Sequence, residues 1–220
     1  MVAVHETSLR AYRAFAEETQ GVRLHGTKFT QEDDHPAVMM TREEAQAFCR
    51  WLTEKERKEY LIGTQHVYRL PTDIEWSYFA GMIEEEGSTP FERDVSEDES
   101  FEWGAGWPPE DYLGNFADYA AALRVDFNAN RTIVGYNDDF AYTSPVGYYQ
   151  ANVYGLYDIA GNVYEWVADD FGVGKYGVAR GGSWTCYQPE NLHLKFRNAI
   201  NPELRSDEIG FRIVLSKEAQ

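Results

Sequence analysis

The chain of 220 residues is poor in cysteine, histidine and positive charge, and each shortage closes off a class of function. Its two cysteines, Cys49 and Cys186, allow at most one disulfide and form neither a disulfide framework nor a zinc signature. Five histidines, His5, His25, His35, His66 and His193, include no pair at the spacing of helical metal ligands. Twenty Lys and Arg against 37 Asp and Glu leave a formal net charge of −17, the wrong sign for a phosphate backbone, so nucleic acid is not an expected partner. No run approaches the roughly 20 apolar residues of a membrane span, and the opening "MVAVHETSLRAYRAF" lacks the basic start and apolar core of an export signal. No membrane insertion is expected.

What is abundant is aromatic and glycine: 15 Tyr, 12 Phe, 6 Trp and 18 Gly, within a hydrophobic share of 43%. That composition can fill a sizeable core and suits irregular, ordered backbone packed around rings. With no linker composition and no internal repeat, residues 1–220 read as a single α+β domain. Charge is uneven. Glu84 to Glu102 carries nine acids against Arg93, the pattern of a solvated loop, whereas Lys175 to Lys217 holds seven Lys and Arg against four acids.

Local signals predict helices early. Leu9, Tyr12, Phe15 and Ala16 recur at helical spacing, and in "TREEAQAFCRWLTEKERK" a capping box of Thr41 and Glu44 precedes an apolar stripe of Ala45, Phe48, Cys49 and Leu52. Cys49 is thereby expected in the core. "YRLPTDIEWSYFAG" predicts a short strand, then a helix starting near Pro71 and Thr72, with Glu75 closing a second capping box and Gly81 near the stop. From Met82 to Ser144 no period of 3.6 or 2 persists, far beyond an ordinary connection. Strands are predicted at "SPVGYYQ", "GVARGGSW" and "IGFRIVLS".

The ordered blocks "HPAVMMTREEAQAFCRWL", "YRLPTDIEWSYFAG", "GLYDIAGNVYEWV", "RGGSW" and "IGFRIV" resemble the formylglycine-generating-enzyme family, whose fold is a variant of the C-type lectin fold. The blocks spread from His35 to Val214 without the N-terminal strand region with which family members usually begin, so the resemblance implies an abbreviated domain. "DIAGNVYE" sets Asp158 and Glu165 about a Gly-Asn turn, where two carboxylates and intervening carbonyls could converge on a hard cation, or where Asp158 could simply cap the turn. The resemblance implies structural calcium there, held by Asp158, Glu165 and the carbonyls of Gly161 and Val163. It implies a second ion at Asn115 and Asp138 with the carbonyls of Phe116 and Phe140.

Enzymes of this family hold copper with two cysteines five residues apart in the "GGS" region, to oxidise a substrate cysteine. Cys186 matches the first position, but Asn191 occupies the second and offers no soft thiolate for Cu(I). Tyr164 also replaces the usual Trp of "GNVWEW". The related non-haem iron branch, which forms carbon–sulfur bonds, would require a histidine cluster that is missing here. Ser183 in "GGSW" lacks a nucleophile elbow.

The last forty residues also resemble the variable proteins of diversity-generating retroelements, which place changeable positions between "GGSW" and "IGFR" blocks on the same scaffold. In "RNAINPELRSDEIGFR" the fixed residues would be Arg197, Pro202 and Arg205. The resemblance implies a ligand-binding segment over 180–213, with Thr185, Cys186, Tyr187, Asn191, His193, Asn198, Ile200, Asn201, Leu204, Ser206 and Asp207 facing a protein or glycan. Alternation is expected to turn Leu192, Leu194 and Phe196 inward. The expected function is non-catalytic ligand binding; the alternative is an oxidoreductase, of the formylglycine-generating or the non-haem iron sulfur type, working through Cys186.

Overall fold

The computed structural model describes residues 1–94, 100–104, 106–124, 128, 130–172 and 174–218. Part of the acidic run, 95–99, lies outside the described residues. Both long helices form where local chemistry places them. Helix α1 (Leu9–Glu18) starts at Ser8, whose hydroxyl accepts from the Ala11 amide. Helix α2 (Arg42–Lys58) starts on the complete Thr41–Glu44 capping box, and its basic last turn complements the helix dipole. Tyr12 and Phe15 of α1 pack on Phe48 of α2 and on Phe211, with the Phe48 and Phe211 rings 5.3 Å apart at 71°. Cys49 is buried in this cluster.

Strand β1 (His66–Arg69) leads into α3 (Asp73–Phe79), which again opens on a full capping box, Thr72 with Glu75. Two helices too short to leave a period in the sequence follow, α4 (Pro90–Asp94) and α5 (Tyr119–Ala122), the latter capped by Asp118. Then come β2 (Tyr164–Asp170), β3 (Gly177–Arg180), a 3₁₀ turn at Pro189–Leu192, β4 (Asn198–Ile200), β5 (Ile209–Gly210) and β6 (Val214–Lys217). The order β4-β3-β2-β5 makes one sheet, antiparallel except for the β2–β5 pair. A second sheet pairs β1 with β6, and Val2 bridges to Val214 beside it.

The strand expected at "SPVGYYQ" is absent. Its amides are spent elsewhere, Val146 on the Asp34 carbonyl at 2.9 Å and Gly147 on the Asp158 carboxylate at 2.6 Å, so no ladder forms. The "IGFRIVLS" strand is split into β5 and β6.

Candidate ligand-binding surface

After β3 the chain needs two left-handed residues in succession. At Gly181 (φ +95°) a Cβ would lie 2.8 Å from the Ile159 carbonyl oxygen, and at Gly182 (φ +80°) it would collide with the Leu192 side chain. This tight turn drives the following residues inward. Cys186 is 4% exposed, with its Sγ 3.1 Å from the Tyr164 hydroxyl and 3.3 Å from the Ser183 amide. Burial pushes its thiol up, and the hydrogen bonds from Tyr164 and Ser183 offset that in part. The expectation of Cys186 as a displayed side chain is thus corrected: a small apolar thiol fills the space beneath Gly182. Cys49 and Cys186 are both free.

The other expected surface residues divide among three neighbourhoods. Thr185, Ser206 and Asp207 are half-buried about Trp184, whose Nε1 donates to the Asp207 carbonyl at 3.0 Å. Tyr187, Asn191 and His193 flank the 3₁₀ turn. All three are half-buried; Tyr187 packs on the core, and the His193 ring lies 4.9 Å from that of Phe101. Asn198 and Ile200 stand on the edge strand β4, half-buried, and lead to Asn201 and Leu204, which are exposed. Leu192 is buried, and Leu194 and Phe196 are half-buried against core clusters, but His193 and Lys195 are half-buried as well and Arg197 is buried, so the expected alternation is not kept and 193–197 form no strand.

Beneath this segment lies a polar hub, of which the sequence singled out only Arg197, as a fixed residue. Asp73 is wholly buried and accepts from Arg93 Nε at 2.9 Å, from Arg197 Nη2 at 3.1 Å, and from Arg180 Nη1. Burial alone would raise the Asp73 carboxyl, yet Arg180, Arg197 and Arg93 hold it below the ordinary carboxylate range. The same arginines grip backbone. Arg180 donates to the carbonyls of Leu194 (2.7 Å) and Phe196 (3.1 Å), and Arg197 to that of Lys195 (2.8 Å) and to Glu85. Further along, Arg205 pairs with Glu44, and Arg212 with Glu165. Asp73 reads locally as the first residue of a capped helix; its partners lie 20, 107 and 124 positions away, beyond any local signal.

The two calcium sets fare differently against the donors present. Glu165 already receives Arg212 Nε at 2.6 Å and Trp76 Nε1 at 3.0 Å, so its countercharge is a guanidinium. Glu6 takes the Val163 amide at 3.2 Å. Asp158 Oδ1 is buried without a partner, so this set keeps one open carboxylate oxygen while its second carboxylate is already neutralised by Arg212. The other set fits better. Asn115 Oδ1 is buried without a partner, and buried Asp138 caps the Phe116 and Phe140 amides at 2.8 and 2.9 Å. Burial, followed by the neighbouring Asp118 charge, pushes the Asp138 carboxyl up to about 8, as expected of a carboxylate short of positive charge. Among the described residues, no three His, Cys, Asp or Glu side chains converge as a metal-binding group.

A family model described as the sulfatase-modifying factor enzyme 1-like domain matches residues 3–217. The formylglycine-generating enzyme of Bos taurus is 26% identical over 196 residues, covering 81% of this chain and 43% of that protein. The chain thus spans less than half the length of this relative. Among solved structures, PvdO from Pseudomonas aeruginosa superposes with a TM-score of 0.69 at 23% identity, covering 99% of this chain and 80% of that one. Treponema denticola variable protein 1 does so with 0.61 at 19% identity, covering 98% and 84%. At these identities the two structures establish the shared fold alone.

Proposed function

The chain belongs to the sulfatase-modifying factor enzyme 1-like family, and we propose that it acts there as a non-catalytic module that presents its C-terminal surface to a protein or glycan. The observation that carries this reading is Cys186: the one thiol at the family's copper position is buried, hydrogen-bonded to Tyr164 and partnered in sequence by Asn191 instead of a second cysteine. A neutral, buried thiol is neither a good nucleophile nor a metal ligand. The likeness to a protein named a variable protein supports the same reading, with residues 180–213 as the presented segment. Its supports suit that role, because Arg180 and Arg197 hold the backbone of 194–196 from below and leave Asn198, Asn201 and Leu204 free to vary above.

Partners of other classes are disfavoured. The net charge of −17 opposes nucleic acid, and among the described residues no helix is long and apolar enough to cross a membrane. A structural calcium at Asn115 and Asp138, with the carbonyls of Phe116 and Phe140, would pin the irregular segment between α4 and β2.

Incubation with Cu(I), oxygen and a cysteine-containing sulfatase-type peptide tests the proposal by mass spectrometry. The peptide should remain unchanged. A mass loss at its cysteine that vanishes in Cys186→Ser would instead restore the oxidoreductase. Binding is then sought on glycan and protein arrays, where any hit should be lost on substituting Asn198, Asn201 and Leu204 together.

A further inference from the structure

A cavity of about 280 Å³ opens beside the C-terminal end of α3, and no residue of 180–213 lines it. Glu102, Trp103, Leu113, Gln150, Asn152 and Tyr154 contribute to its walls. Asn152, beside that carboxylate, is held in place. Asn152 Nδ2 donates to the Phe79 carbonyl at 2.8 Å, and Asn152 Oδ1 accepts from the Tyr154 and Leu156 amides at 3.0 and 3.1 Å. Asn152, its amide fixed in this way, and the Ala160 backbone are polar neighbours of the Glu102 carboxylate. Trp103 is fixed as well: its ring lies parallel to Phe101 at 4.6 Å, and its Nε1 donates to the Gly106 carbonyl at 3.1 Å.

The lining is chemically one-sided. Among the described residues it offers one carboxylate and no Lys, Arg or His. Burial raises half-buried Glu102 to about 7, although the charge of Arg212 draws it down, so the group is under-compensated. A metal ion would demand several more oxygen ligands than this lining supplies. An alkylammonium needs only one carboxylate for its charge and apolar or aromatic walls for its carbon body. The volume suits a ligand of a few heavy atoms, slightly below the roughly 300 Å³ at which drug-sized sites begin.

We propose that this cavity binds a small organic ammonium ion, with Glu102 pairing the nitrogen and Trp103, Leu113 and Tyr154 enclosing the carbon chain. Ligand-observed NMR with n-butylammonium tests it, with n-butyrate and n-butanol as controls of similar size. Wild type should bind butylammonium saturably, with a dissociation constant of about 1 mM or tighter, and should not bind either control comparably. Glu102→Gln should weaken binding by about tenfold or more. Leu113→Trp, which fills the cavity and leaves the carboxylate in place, should abolish it. Absence of saturable butylammonium binding, equal binding of butyrate or butanol, or undiminished affinity in either folded variant overturns the proposal. The wild-type comparison decides it even where a variant fails to fold.

Discussion

Replacing Asp73 by asparagine should remove a large part of the stability of this protein. The hub sets three guanidinium groups, Arg93, Arg180 and Arg197, against the carboxylates of Asp73 and Glu85, with Asp73, Arg180 and Arg197 side chains at 0% exposure. Asp73→Asn keeps the side-chain shape but removes the carboxylate that all three cations share, leaving Glu85 and the neighbouring Asp94 as counter-charges among the described residues. Breaking a buried ion pair by removing one partner costs about 3–5 kcal/mol, much of the roughly 5–15 kcal/mol by which domains are stable. With a urea dependence of about 2–3 kcal/mol/M, the unfolding midpoint should fall by about 1–2.5 M. Urea titration followed by tryptophan fluorescence and by circular dichroism measures this directly. The control is Glu43→Gln, whose pair with Arg50 is 65% and 59% exposed and should change stability by about 0.5 kcal/mol or less. Acid titration gives a second signature. Because the folded-state carboxyl of Asp73 is depressed, its contribution is complete above the ordinary value of 3.8 and fades as pH falls through the depressed one. Asp73→Asn should therefore flatten the acid limb of the stability profile while lowering the plateau above it. A variant within about 1 kcal/mol of the parent, with an unchanged acid limb, would refute the view that this hub is a net electrostatic support.

Three further outcomes are expected. Cys186 should resist a thiol reagent such as Ellman's until the protein unfolds, and Cys186→Ala, which strips the buried Tyr164 hydroxyl of a partner, should cost about 1–3 kcal/mol by urea titration; rapid native-state labelling would contradict its burial. In protein stripped of metal, calcium should raise the melting temperature in the parent but not in Asp138→Asn, whereas equal curves with calcium and with chelator would remove the ion from the proposal. Substituting Asn198, Asn201 and Leu204 together should shift stability by about 0.5 kcal/mol or less per site, whereas Tyr187→Ala, which uncovers core, should cost several times more; a triple variant that unfolds would show these positions to be structural.

How much of this was legible in the sequence follows from how far apart the interacting residues lie. The capping boxes at Thr41 and Thr72 each close within three positions, so both helix starts could be read. The paired glycines of "RGGSW" are residues that permit left-handed backbone and close approach, and Gly181 makes such an approach against Ile159. The Nδ1 of His35 lies 2.9 Å from the Thr143 hydroxyl, a partner 108 positions away that no local signal indicates. Residues 144–150 look like a strand because apolar residues alternate there, but loop acceptors claim the amides. The burial of Cys186 depends on Tyr164, 22 positions earlier, and on a turn whose depth no residue type encodes. Glu165 was legible as a carboxylate beside a Gly-Asn turn; that it is buried against Arg212, 47 positions on, was not.

The grip of Arg180 and Arg197 on the carbonyls of Leu194, Lys195 and Phe196 has a consequence for engineering. A clamp that holds main-chain oxygens is indifferent to the side chains those residues bear. Randomised libraries at Asn198, Asn201 and Leu204 would thus draw on a foundation whose chemistry they leave untouched, and most members should remain folded enough to be selected for binding alone. Diversity introduced at Asp73, Arg180 or Arg197 would instead be consumed by folding failures before any ligand was met.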